Sequence, residues 1–101
     1  MRRAARTDAN HAAIRDALRK AGASVVDTSS VGGGFPDLVV GFVLCRPWAV
    51  MRVNYLVEVK DGTRRPSERE LTPAQREFSA SWRGQWVKGE SVDEALALLE
   101  G

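Results

Sequence analysis

The chain has 101 residues, 44% of them hydrophobic and 28% charged, with a formal net charge of +2. A single core of this size buries roughly 60 to 65% of the surface of the unfolded chain, which excludes a second core; the composition is ordinary for a globular domain and excludes a disordered or fibrous chain. With Cys45 as the one cysteine, no internal disulfide or thiolate metal framework is available, and no apolar run approaches the ~18 to 20 residues that span a bilayer, so a reducing cytoplasm is the expected compartment.

The basic residues are mostly arginines and several are clustered, as Arg2, Arg3 and Arg6 and then as Arg64, Arg65 and Arg69. The planar guanidinium fork suits phosphate oxygens, but runs of charge are as often plain solvated surface, and both readings stay open.

In chain order, Ile14, Ala17, Leu18 and Ala21 recur at helical spacing across Asp8–Ala21, with Thr7 or Asp8 as N-cap and Gly22 as the stop. Ala23–Thr28, with Val25 and Val26, predicts a strand, and Ser29–Gly34 a flexible loop. Pro36–Leu44 is a short β-branched apolar run that predicts a buried strand, and Cys45–Ala49 a turn. Val50–Lys60 alternates: Val53, Tyr55, Val57 and Val59 share one face, and Arg52, Asn54, Leu56, Glu58 and Lys60 the other. Asp61–Leu71 is a polar loop. Thr72-Pro73-Ala74-Gln75 carries the parts of a capping box with proline at the first helical position, ahead of a helix running to about Arg83 and stopped by Gly84. Gln85–Lys88 predicts a last short strand, and Ser91-Val92-Asp93-Glu94 a second capping box before a final helix. The order is α-β-β-β-α-β-α, one α/β domain.

Glu58 and Lys60, separated by Val59, emerge on the same face of their strand. If the strands flanking the Cys45–Ala49 turn pair as a hairpin, Asp37 comes to the same end. Two carboxylates that converge repel each other, and a cation such as Mg²⁺ or Mn²⁺ removes the repulsion; the carbonyl of Val59 is a further available ligand. With an ammonium beside them, such groups suit phosphodiester hydrolysis. Against this stands the plain alternative that Glu58 and Lys60 are an exposed strand pair and Asp37 a turn residue. Gly32, Gly33 and Gly34 let their loop approach a phosphate backbone, or simply permit a turn. Phe78, Trp82 and Trp86 are expected in the core, and Trp48 either exposed at the turn or packed over the sheet edge.

The stretches Gly34-Phe35-Pro36-Asp37-Leu38-Val39-Val40-Gly41 and Tyr55-Leu56-Val57-Glu58-Val59-Lys60 resemble the PD-(D/E)XK nuclease superfamily, in particular its small VRR-NUC and Holliday-junction-resolvase-like members of phages and bacteria. The resemblance covers nearly the whole chain, because that family core is a helix, three strands, a helix and a fourth strand. It implies a restriction-endonuclease-like α/β fold, a mixed central sheet flanked by helices. It further implies that Asp37 and Glu58, with the Val59 carbonyl, hold Mg²⁺ or Mn²⁺, that Lys60 activates water or stabilises the transition state, and that Gln75 supports the site, its other role being the capping box. Many relatives carry a glutamate in the first helix; here Asp8-Ala9-Asn10-His11 stands in its place, which leaves Asn10 or His11 as accessory groups. The expected activity is endonucleolytic cleavage of DNA by a cytoplasmic homodimer with no membrane association. Arg64, Arg65 and Arg69, with Gly33 and Gly34, would lie against the backbone phosphates. A catalytically silent DNA-binding or assembly module of the same fold is the competing expectation.

Overall fold

The structure, a computed structural model, describes residues 9–101. The first arginine cluster, Arg2, Arg3 and Arg6, and the capping candidates Thr7 and Asp8 lie outside the described residues. The elements run α1 (Ala9–Lys20), β1 (Ser24–Asp27), β2 (Leu38–Arg46), β3 (Ala49–Val59), α2 (Pro73–Ser81), β4 (Trp86–Gly89) and α3 (Val92–Leu98), with a 3-10 turn at Pro66–Glu68 between β3 and α2. This is the α-β-β-β-α-β-α order expected from the sequence.

The four strands form one mixed sheet in the order β1-β2-β3-β4. The first three are antiparallel to their neighbours, whereas β4 runs parallel to β3. A parallel neighbour requires a crossover, and the segment containing α2 supplies it.

The apolar period of α1 places Ile14 and Leu18 in full burial against Val25, Leu38, Val40, Val57 and Val59 from the sheet and Ala95 from α3. These contacts make one sheet face the core, covered by α1 and α3. The helix stops where the sequence places its stop. Gly22 takes φ 103°, its N–H donates to the Arg19 carbonyl and the Ala23 N–H to the Leu18 carbonyl, a Schellman closure that favours a residue without Cβ.

The β2–β3 ladder extends to Arg46 opposite Ala49, so the turn shrinks to Pro47 and Trp48. The outer half of this hairpin is not buried: Val43 is 54%, Val50 71% and Trp48 78% exposed. The buried strand read over Pro36–Leu44 therefore holds for Leu38 and Val40 but not for Val43, which points away from α1 and α3.

The opposite sheet face is covered only in part. α2 has no fully buried residue; it is held by an edge-on contact of Phe78 with Phe35, ring centroids 5.4 Å apart, and by the approach of the loop at Gly34. A Cβ on Gly34 would overlap the Ala74 carbonyl group, its carbon at 2.6 Å, and Gly34 also has φ 83°. Both conditions demand glycine. The helix ends at Ser81, and Trp82 follows in extended backbone with φ −71° and ψ 128°. Its ring stacks on Phe78 at 5.2 Å and remains 45% exposed. Trp82 is thus not the core residue expected, because the chain leaves the helix before the indole can turn under it. Phe78 and Trp86 are half-buried. Among the described residues no helix is long and apolar enough to cross a membrane, and Cys45 is free and exposed.

Candidate functional site

Asp37 immediately precedes β2, and Glu58 and Lys60 lie at the end of β3, so the antiparallel hairpin carries them to one edge. The Asp37 N–H donates to the Val57 carbonyl at 3.1 Å, and the Val59 N–H donates to Asp37 Oδ2 at 2.9 Å. These two bonds show that the backbone polar groups of Val57 and Val59 face β2. In a strand the N–H and C=O of one residue leave on the same side, so the Val59 carbonyl lies along the edge occupied by Asp37.

Glu58 is 1% exposed. Its Oε2 accepts from Gln75 Nε2 at 3.0 Å, whereas its Oε1 is buried without a hydrogen-bond partner. Burial, first, and then the close Asp37 carboxyl push the Glu58 acid up from 4.5 to about 9, against a smaller opposing pull from the Lys60 ammonium. A carboxylate taken from water beside a second carboxylate favours its neutral form.

Gln75 joins the parts. Its Oε1 accepts from Lys60 Nζ at 2.9 Å and from the Thr72 N–H at 2.9 Å, and the Gln75 N–H donates to Thr72 Oγ1. The capping box and the site contact anticipated as alternatives are both present, because the amide oxygen serves two donors while the amide nitrogen serves Glu58. The N-terminal turn of α2 is thereby tied to the end of β3. At Ser91 the second box is incomplete: Ser91 Oγ takes the Glu94 N–H, but the Glu94 carboxylate takes the Glu90 N–H instead of that of Ser91.

Asn10 and His11 make other contacts. Asn10 Nδ2 donates to the Lys60 carbonyl at 2.6 Å and to the Glu90 carbonyl at 3.3 Å, fastening α1 to the ends of β3 and β4. His11, 4% exposed, lies 3.2 Å from Asp27 Oδ2. The ionised form of Asp27 is held by the Ser29 hydroxyl and N–H and, to a lesser degree, by His11, which lowers its pKa. Neither Asn10 nor His11 is bonded to the Asp37 or Glu58 carboxylate in these contacts.

The second arginine cluster is internally paired. Arg64 reaches Glu68 at 3.3 Å and Asp61 at 3.7 Å, Arg65 reaches Glu68 at 2.9 Å, and Arg69 reaches Glu90 at 3.4 Å. The Arg64 and Arg65 pairs are exposed and worth about 0 to 1 kcal/mol each, so they do not lock those guanidinium groups away from a phosphate; the Arg69–Glu90 pair is more buried. Gly32 and Gly33 have open space where a Cβ would stand, in contrast to Gly34.

Among the described residues no group of three or more His, Cys, Asp and Glu converges as a ready-made metal site. The donor set at the hairpin end is two carboxylates and a carbonyl, which fits a hard cation that retains several waters. The unpartnered Glu58 Oε1 and the carboxyl pair are the features such a cation would satisfy. No known protein-family model matches this chain, and no curated protein or solved structure is significantly similar to it.

Proposed function

We propose that the chain is a divalent-metal-dependent DNA endonuclease with a restriction-endonuclease-like fold of the PD-(D/E)XK type. The observation that carries this reading is the convergence of the Asp37 and Glu58 carboxyls, with the Glu58 side chain buried, beside a Lys60 side chain held in place by Gln75. A structural ion pair would need no second carboxylate. Two carboxyls brought together at a buried position are a costly arrangement, and such arrangements concentrate at functional sites.

In this mechanism Asp37, Glu58 and the Val59 carbonyl would hold Mg²⁺ or Mn²⁺. The cation supplies Lewis acidity toward a phosphoryl oxygen and a lowered pKa for water. Lys60, its Nζ held by Gln75 Oε1, is positioned to orient the attacking water or to stabilise negative charge developing on the phosphoryl group. Gln75 keeps Glu58 and Lys60 at fixed distances through two bonds from one amide, which preorganises the site before substrate arrives.

Arg64, Arg65 and Arg69 would exchange their carboxylate partners for backbone phosphates, with Gly33 and Gly34 bringing the loop close to the strand. A chain of this size reaches both strands as a homodimer. The unpaired margin of β2 beyond Gly41, where β1 ends, offers an edge to a second copy.

The test is cleavage of supercoiled plasmid and of synthetic branched DNA with Mg²⁺, Mn²⁺ or chelator, native against Lys60→Ala. Metal-dependent cutting lost in the variant supports the assignment. No cutting of any form of DNA, with binding intact, overturns it in favour of a silent DNA-binding module.

A further inference from the structure

Along β3 before its pairing with β4 begins at Leu56, away from the carboxylates and toward the hairpin arm, a groove of about 560 Å³ follows the margin of the strand, with Met51 and Val53 of the opposite face also in its lining. Its walls include Arg52, Asn54, Leu56, Trp82, Gly84 and Gln85. Arg52, Asn54 and Leu56 alternate on the face of Glu58, so Asn54 and Arg52 stand about 13 and 20 Å from it at about 3.3 Å per residue. No carboxylate lines the groove, and Arg52 gives it positive charge.

Trp82 forms its aromatic wall. The ring stacks on Phe78 with an interplanar angle of 16°, and the residue is 45% exposed, so the indole is braced by Phe78 and still reaches solvent. Gly84 makes room for it: a Cβ there would lie 2.8 Å from Trp82 Nε1. An exposed, braced indole beside an arginine and an asparagine has the parts that hold unpaired bases: a flat π surface, a cation for the phosphate and an amide for a base edge.

We propose that this groove binds a single-stranded segment of DNA next to the Asp37–Glu58 centre, with one base stacked on Trp82. The inference rests on the nuclease reading for its substrate class. A continuous duplex keeps its bases stacked inside and presents phosphates, for which the apolar wall of Leu56 and Trp82 has no use. An unpaired end, flap or branch presents the base faces that this wall accepts. The groove therefore directs the enzyme toward DNA with single-stranded character and supplies a selectivity that the carboxylates and Lys60 do not.

The experiment measures binding of a labelled oligothymidylate and of a labelled duplex of equal length, by fluorescence anisotropy in chelator. The proteins are native, Trp82→Phe, Trp82→Leu and Gly84→Ala, each checked for folding by circular dichroism. Trp82→Leu should weaken oligothymidylate binding about 5- to 150-fold, the ~1 to 3 kcal/mol of one base–aromatic stack. Trp82→Phe should stay close to native, and duplex binding should hold in all variants. Gly84→Ala keeps the indole but displaces it, and should weaken the single strand alone; it decides the matter if Trp82→Leu does not fold. Equal losses on both ligands, native binding by the Trp82→Leu or Gly84→Ala protein, or no oligothymidylate binding by the native chain would overturn the proposal. Because the assay needs no metal, selective loss in a protein that cuts nothing leaves this site standing and removes the nuclease. Cutting without selective loss does the reverse.

Discussion

Raising the pH in chelator should destabilise this fold through one residue. In the unfolded chain Glu58 titrates near 4.5, and in the folded chain near 9. Between those values the native state holds a proton that the unfolded state has released, so stability is fully present below 4.5 and is lost as pH rises through the folded value. One proton limits the slope to about 1.4 kcal/mol per pH unit, which for a domain of this size lowers the melting temperature by at most about 5 to 10 °C per unit. Asp27 and Asp61 have lowered values, so they contribute stability that is lost only as pH falls below their ordinary range, outside this window. Glu58→Gln carries a neutral amide in place of the protonated acid and has nothing to titrate. Thermal melts by circular dichroism across the window, native against Glu58→Gln, should diverge, with the native curve falling and the variant nearly flat. Mg²⁺ should restore the native protein at the alkaline end, by about 2.7 kcal/mol at a hundredfold excess over its dissociation constant. Parallel curves would refute the reasoning, because they would mean that Glu58 is ionised in the native state and does not share its surroundings with Asp37.

Gln75→Ala removes the acceptor of Thr72 N–H and Lys60 Nζ and the donor to Glu58 at once. Loss of the cap alone should cost about 0.5 to 2 kcal/mol in thermal or urea unfolding, and cleavage should fall as well. Gln75→Glu preserves the cap but sets a third carboxylate against Glu58, so in chelator it should raise the pH sensitivity of the melt. Gly34→Ala meets both a positive φ and the Ala74 carbonyl, and should cost more than the ~1 to 3 kcal/mol of backbone strain alone, whereas Gly33→Ala, in open space, should cost about that strain or less; urea melts of the two compare them. Joint replacement of Arg64, Arg65 and Arg69 by Ala should change stability by no more than a few kcal/mol, since their pairs are partly exposed. The same change should reduce the slope of log affinity for DNA against log salt by about 0.9 for each phosphate contact removed.

Much of this arrangement was legible because it rests on local periodicity. Alternation along β3 put Glu58 and Lys60 on one face, the short turn brought Asp37 to them, and Thr72-Pro73-Ala74-Gln75 marked the start of α2. The order of elements follows from the same signals, with ends displaced by a residue or two where the ladder or a cap decides. The outer hairpin was misread as buried because Val43 has the composition of a core strand, while burial depends on whether a helix lies over it. Trp82 was misplaced for a related reason: its bulk argues for the core, but the backbone turns extended at that residue. The contacts of Asn10 with the Lys60 and Glu90 carbonyls span most of the chain, and no local pattern encodes them. That Gln75 could cap a helix and bridge two site residues together was visible only once one amide oxygen was seen to serve two donors.

The most direct test of the central claim is a Mn²⁺ titration followed by electron paramagnetic resonance, with native protein, Asp37→Asn and Glu58→Gln. The account predicts Mn²⁺ bound by the native chain at neutral pH, bound more tightly as pH rises and the Glu58 proton is released, and lost in both variants. Unchanged binding in either variant, or no binding by a native protein that nonetheless cuts DNA, would contradict it.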